Sequence, residues 1–421
     1  MKPAKDLKEF IERLSSFGML KIAEEEVDSV YQLASMAVKY EKQREGAVLF
    51  KSVKGYEIPI IVNLYSEIER AALAFGVRPE ELHEHFIASM RERVKPLLVD
   101  DESWKEEPSL DNLPIPVHSL HDGGRYITGI ITTKVKGIRV LQFARLQVKG
   151  PHKLVARIDP DRRVRDLKEE VIDIGILIGA PPAVEFAAAI RGFPYDKLEL
   201  AGALQGSGIV LMRCKKVECE VPMPTQIVIE GRLYMNDLED EGPFGEFTGY
   251  YSPPEPMPKI RVERIVKKPD AIYRTICGGS LEHVVLNNVS REAMIYDSLR
   301  RAVPGVKDVF LPPYGCGFVA ILSIKEGSIR EAKNALLAAL SAHPIVKYAI
   351  VVDEDIDIRD EREVIRAMAT RSGGDSDVIQ IPKVFDHVLD PASENGFVYK
   401  LGIDATFPLE KRKKYRRVEF S

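Results

Sequence analysis

The chain has few means of holding itself together covalently and little charge bias. Four of its 421 residues are cysteines, Cys214, Cys219, Cys277 and Cys316, and none falls in a C-x-x-C spacing. A chain this long does not need disulfide staples, so the natural reading is a reducing, cytoplasmic compartment. The opening MKPAKDLKEFIERL interrupts its apolar residues with charge at every turn, which excludes a signal-peptide core and a membrane span there. Sixty Lys and Arg against 64 Asp and Glu give a formal charge of -4, so there is no general attraction for nucleic acid or an anionic membrane. The basic cluster at 411–417, KRKKYRR, reads as a solvated tail.

Several site types are missing as well. The eight histidines show no HxxxH spacing, which leaves zinc chemistry without support. Gly206-Ser207-Gly208 lacks the third glycine of a dinucleotide fingerprint and reads as a turn. The acidic run Asp353, Glu354, Asp355, Asp357 carries Ile358 where a calcium loop needs glycine, so it reads as a solvated strand-to-helix loop.

What is present is globular: 45% hydrophobic and 29% charged residues, in a length that suits two or three domains. Leu7, Phe10, Ile11 and Leu14 share one face of a helix. Strands around Ala47–Phe50 and Ile58–Asn63 and helices around Ile68–Ala74 and Pro79–Glu92 complete a small α/β domain. The proline-containing acidic stretch Asp100–Pro116 reads as a linker. From Arg125 to about Cys277, β-branched runs such as ITGIITTKV, IRVLQFARLQV and TQIVIEGRLYM alternate with tight turns, which predicts a barrel or closed sheet. A helix-like interruption is expected from Val164 to about Ile190. The order strand, helix, strand, helix after Ile295 predicts a second α/β domain with a parallel component. The fold class is therefore α+β multidomain, divided at 1–110, 111–305 and 306–421.

The segment Glu241-Gly-Pro-Phe-Gly-Glu246 carries the most chemistry. Proline and two glycines disfavour a helix, so both carboxylates project from an ordered loop. Two such carboxylates differing in burial can divide into a proton donor and an ionised acceptor. On pattern alone the segment reads first as a surface turn flanked by glutamates.

The full run EGPFGEFTGYY, from Glu241 to Tyr251, resembles the signature of the UbiD decarboxylases. FARLQV around Arg145, AGALQG at Ala201–Gly206, QIVIEG ending at Gly231, LPPYGC at Leu311–Cys316 and KLGIDAT at Lys400–Thr406 agree in order and spacing. The resemblance implies an N-terminal α/β domain, a central flavin-reductase-like split β-barrel that binds prenylated FMN, and a C-terminal α/β domain with an oligomerisation tail. It implies catalysis by Arg145, Glu241 and Glu246, with Arg145 meeting the substrate carboxylate and Glu246 delivering the proton. Phe143, Ala144, Arg145, Arg157, Ile158, Arg162, Arg163, Lys197 and Lys400 are the implied cofactor contacts.

The same resemblance implies Mn2+ and K+ at the cofactor phosphate, but the ligand places read Val140, Asp161-Arg162-Arg163 and Lys197. Gln142, Asp161 and Glu199 are the possible substitutes. Valine has no ligand atom and protonated lysine cannot coordinate, so Lys197 with Arg162 or Arg163 is expected to hold the phosphate directly. The implied reaction is non-oxidative decarboxylation of an α,β-unsaturated acid, and archaeal members of the family favour trans-anhydromevalonate 5-phosphate. The alternatives are a 4-hydroxybenzoate-type aromatic acid decarboxylase and a catalytically silent flavin-binding subunit. A flavin prenyltransferase would supply the cofactor, and the chain would self-associate as a dimer or hexamer.

Overall fold

Helix α1 (Leu7–Ser16) buries Leu7, Phe10, Ile11 and Leu14, the face its spacing predicts, and the Asp6 side chain caps it by accepting the Glu9 N–H at 2.9 Å. The computed structural model describes residues 1–99, 104–158, 169–325, 331–385, 389–407, 409–415 and 418. They divide into two compact units, Met1–Asn287 and Asn288–Ser421.

The first unit continues with helices α2 (Gln32–Lys42), α3 (Ile68–Phe75) and α4 (Leu82–Arg91), around strands β1 (Leu20–Ala23), β2 (Ala47–Phe50) and β3 (Ile60–Val62). β1 and β2 run parallel, β2 and β3 antiparallel. Two short strands follow, β4 (Leu97–Leu98) and β5 (Lys105–Glu107), in the region expected to be a linker.

The barrel begins with β6 (Tyr126–Val135) and β7 (Ile138–Gly150), joined through Lys136 and Gly137. Both turn residues have positive φ, the backbone of a two-residue turn that matches the twist of a hairpin. β8 (Lys153–Arg157), β9 (Val171–Ile178), β12 (Ile227–Glu241) and β15 (Glu255–Lys267) complete it in the order β12-β9-β6-β7-β8-β15, and β12 pairs back onto β15 to close the ring. β5 adds to the outside of β15. Ile174, Ile176, Ile229 and Ile260 are fully buried, each contributing about 1.5–3 kcal/mol relative to exposure.

The helix-like interruption over Val164–Ile190 needs correcting. Among the described residues of that segment, 171–178 are barrel strand β9, and Pro182–Ala189, after the GAPP break, is helical (α5). A continuous apolar run suits a buried strand or a buried helix equally, and hydrogen bonding to β6 and β12 decides for strand.

Helix α6 (Lys197–Gln205) ends on Gly206 at φ +72, so the glycine pair there is a helix cap and turn. β10 (Val210–Arg213) and β11 (Glu220–Met223) form a small sheet with β4, while β13 (Phe244–Gly245) pairs with β14 (Tyr251–Ser252). β16 (Tyr273–Arg274) joins β3 in the first sheet. The pairings β4–β10, β5–β15 and β3–β16 all cross the expected 110/111 boundary.

Helix α7 (Leu281–Ala302) spans the division at Asn287, upstream of the expected cut at 305/306. In the second unit β17 (Val306–Phe310) precedes β18 (Val319–Ile324), α8 (Ala332–Ala342), β19 (Tyr348–Asp353) and α9 (Glu361–Arg371), which follow the predicted alternation, and β20 (Val378–Phe385), β21 (Phe397–Ala405) and α10 (Leu409–Lys414) come after them. The sheet order is β17-β18-β19-β21-β20, with β18, β19 and β21 parallel. Arg371 bonds Asp353 at 3.1 Å and Asp355 at 2.6 Å, so the acidic run closes on an arginine. No helix among the described residues is long and apolar enough to cross a membrane.

Candidate active site

Strand β7 places Arg145 between Thr128 of β6 and Arg157 of β8. β12 ends at Glu241, and the loop turning from it into β13 brings Glu246 back toward the same guanidinium. Arg145 Nη2 donates to Glu241 Oε2 at 2.9 Å, and Nη1 donates to Glu246 Oε1. Arg145 is 7% exposed, Glu246 6% and Glu241 0%. The surface-turn reading is therefore excluded: the loop points both acids inward.

Phe244 packs under Arg145 with the guanidinium 5.1 Å from its ring centroid, and Tyr126 meets Phe244 at 4.6 Å. Burial holds the Arg145 guanidinium below its ordinary value even though Glu241 pulls the other way. The Tyr126 hydroxyl is pushed far up by burial and then by the Glu241 charge, and it remains a donor, reaching Pro243 O at 3.2 Å. Two buried atoms of the trio, Arg145 Nε and Glu241 Oε1, have no hydrogen-bond partner among the described residues. Burying such groups unpaired costs free energy, and they are the donor and acceptor left over for a bound molecule.

Other predicted contacts separate. Phe143 and Ala144 lie on β7 beside Arg145, Arg157 pairs with Glu255 at 2.8 Å, and Ile158 packs against the barrel core. Asp161, Arg162 and Arg163 lie outside the described residues. Val140 is buried among apolar side chains. Lys197 is buried, with Nζ donating to Leu141 O at 2.7 Å and Ala188 O at 3.3 Å. Glu199 sits two residues further along α6, partly exposed. Lys400 belongs to the second unit, where Nζ donates to Leu340 O at 2.8 Å and Pro344 O at 3.2 Å.

The described residues contain no group of three or more His, Cys, Asp or Glu able to hold a metal ion. Valine and an ammonium at two family ligand places do not fit a divalent ion. The flavin is different: Arg145 Nε and Glu241 Oε1, buried and without a partner among the described residues, fit a group completing the site.

The sequence reading missed the residues that shape the loop. Gln147, two along from Arg145 and so on the same face of β7, accepts from Gly242 N at 3.1 Å. Asp122 accepts from Gly245 N at 3.0 Å. The polar glutamine within an apolar strand was the available signal.

One buried guanidinium held between two buried carboxylates at the barrel can orient a carboxylate-bearing molecule and place a proton carrier beside it. Three domain families match in series: the 3-octaprenyl-4-hydroxybenzoate carboxy-lyase N-terminal domain at 11–90, its Rift-related domain at 92–281 and its C-terminal domain at 284–405. The chain belongs to the UbiD family and is a decarboxylase, a carboxy-lyase.

It is 33% identical to an anhydromevalonate phosphate decarboxylase of Methanothermobacter thermautotrophicus, over 99% of this chain and 100% of that one. The UbiD-class enzyme HmfF of Pelotomaculum thermopropionicum in complex with FMN superposes with a TM-score of 0.93 at 35% identity, covering 99% of this chain and 97% of that one. An evolved dimeric form of HmfF with prFMN gives 0.89 at 33% identity, with the same coverage.

Proposed function

We propose that the chain decarboxylates an α,β-unsaturated acid with prenylated FMN, and that trans-anhydromevalonate 5-phosphate is the substrate. The observation that carries the reading is the buried guanidinium shared by Glu241 and Glu246. It is supported by the anhydromevalonate phosphate decarboxylases among full-length relatives.

Arg145 binds the substrate carboxylate through its free Nε–H, a charge-assisted contact that orients the acid. Glu241 fixes the guanidinium through Nη2. Prenylated FMN, when bound, supplies the electron sink that makes loss of carbon dioxide from an sp² carbon feasible. Glu246 holds the proton delivered to the carbon that lost carbon dioxide. The barrel walls exclude water, which strengthens each of these contacts.

Phe143, Ala144, Arg157 and Ile158 are the proposed flavin contacts. Lys197, with Arg162 or Arg163, supplies the positive charge for the phosphate where the family uses a metal. Stoichiometric manganese that survives dialysis and is needed for turnover would refute that part. Self-association as a dimer or hexamer belongs to the same reading.

Carbon dioxide release from trans-anhydromevalonate 5-phosphate, measured on protein co-expressed with a flavin prenyltransferase, tests the whole. Turnover that Glu246→Gln abolishes is the expected result. Release only from an aromatic acid moves the substrate to the 4-hydroxybenzoate type, and no release from any acid with bound flavin leaves a silent binding subunit.

A further inference from the structure

We infer that Gln147 and Asp122 are positioning residues that set the two carboxylates separately, Gln147 registering Glu241 and Asp122 registering Glu246. The inference rests on the reading that Glu241 and Glu246 serve Arg145 in decarboxylation.

Arg145 makes demanding use of the loop. Its two terminal nitrogens meet carboxylates five positions apart, across a Gly-Pro-Phe-Gly stretch with Gly242 at φ +111. Such a stretch has little conformational preference for one geometry, because glycine admits many backbone states. Something outside the loop has to select the geometry, and the hydrogen bonds show what does.

Gln147 is 1% exposed and faces the same way as Arg145 on β7. Its Oε1 accepts the N–H of Gly242, the residue after Glu241, at 3.1 Å. Its Nε2 donates to Gly123 O at 2.6 Å, and Gly123 N donates to Pro243 O at 2.8 Å. One buried amide therefore ties the start of the loop both to the strand that carries Arg145 and to a second loop at 119–124. The approach is close: a Cβ on Gly123 would stand 2.3 Å from Gly242 O and 2.5 Å from Gln147 Nε2. Only glycine leaves room for the amide there.

Asp122 acts at the other end. One carboxylate oxygen accepts Gly245 N, the residue before Glu246, at 3.0 Å, and the other accepts Ser119 N at 2.9 Å within its own turn. The turn is closed by Asp122 N donating to Ser119 O at 3.1 Å. Glu246 N then donates to Tyr250 O at 2.9 Å, so the backbone on both sides of the second acid is held. Among the described residues, Gln147 and Asp122 hydrogen-bond the backbone of the two loops and not Arg145, Glu241 or Glu246, so their effect passes through the loop backbone.

Amide exchange of the flavin-free protein tests the clamp without reference to any reaction. Gln147→Met, of similar volume and without the amide, should speed exchange of the peptide covering 241–247 about tenfold while the other barrel strands keep their protection. In the flavin-loaded protein kcat should fall ~10- to 100-fold with KM within about twofold, as expected when reacting groups are displaced by a fraction of an ångström to one ångström. Asp122→Ala, at a partly exposed position, should loosen the same peptide. It should also enlarge the solvent deuterium isotope effect on kcat, since it displaces the proton donor; Gln147→Met should leave that effect as in the wild type.

Should Gln147→Met fail to fold, Asp122→Ala decides through exchange and isotope effect together. Unchanged exchange in the loop overturns the inference, and so does faster exchange with wild-type kcat. A wild-type protein inactive on every acid, whose loop still loosens on substitution, refutes the reaction and leaves the clamp standing.

Discussion

Two buried clusters in the first unit have the same composition, one arginine and two glutamates, yet differ in nearly every other respect. Around Arg274, Nη2 donates to Glu282 Oε1 at 2.9 Å, Nε reaches Glu185 and Nη1 donates to Thr275 O at 2.8 Å. Glu282 also accepts the N–H groups of Asn63 at 2.9 Å and Tyr65 at 3.0 Å, tying the start of α7 to the first sheet. Around Arg145, Nε and Glu241 Oε1 have no hydrogen-bond partner among the described residues. Burial is the largest influence on both arginines. It is outweighed at Arg274 by Glu185 and Glu282, which raise that guanidinium, and wins at Arg145, which is lowered.

The difference separates structure from function. A satisfied buried ion cluster fixes a fold, and one with vacancies keeps free energy in reserve for a ligand. The carriers differ accordingly. Glu185 lies on a fully buried helix and Glu282 in the first turn of α7, whereas Glu241 and Glu246 flank a Gly-Pro loop held from outside.

The comparison breaks most visibly if the two clusters respond alike to substitution. Glu246→Gln should lower kcat by ~10²–10⁴-fold, the usual contribution of a positioned acid, with the melting temperature nearly unchanged. A stability loss as large as the activity loss would put the Arg145 cluster in the structural class. Arg274→Met should do the reverse, costing about 3–5 kcal/mol in urea denaturation because Glu282 and Glu185 keep their burial without a counter-charge. If that variant is as stable as the wild type, Arg274 is not the anchor described.

Glu185 sharpens the contrast through pH. Burial pushes its carboxyl up to about 7, against the pull of Arg274. A raised folded value means that its contribution to stability is complete below the unfolded value and is lost as pH rises through about 7. Wild-type stability should therefore decline relative to Glu185→Gln between about pH 4.5 and 7, by on the order of 3 kcal/mol, and a flat difference across that range would contradict the assignment. The smallest effect belongs to an exposed pair: Lys51→Ala, which removes the 2.9 Å contact with Glu24, should change stability by less than about 1 kcal/mol.

Much of the architecture was legible before any coordinates. Leu7, Phe10, Ile11 and Leu14 found their face, and the β-branched runs from Arg125 onward closed into a barrel, because side-chain period is a local property. Strand β9 was not legible as a strand. Its apolar run has no period to read, and its identity comes from lying between β6 and β12.

The candidate site divides in the same way. Arg145, Glu241 and Glu246 were singled out because a Gly-Pro loop with two acids, seen beside the rest of the motif, restricts what the chain can do there. The sequence alone determined these residue types, the loop that presents two of them and the absence of metal ligands at Val140 and Lys197. Only the tertiary structure decided that one guanidinium meets both acids, that Gln147 and Asp122 select the loop geometry, and that the second Arg–Glu–Glu cluster is satisfied while the first is not. Each of those outcomes joins residues far apart in the chain, and pairing and desolvation at such distances are set by how strands and helices pack, on which local pattern is silent.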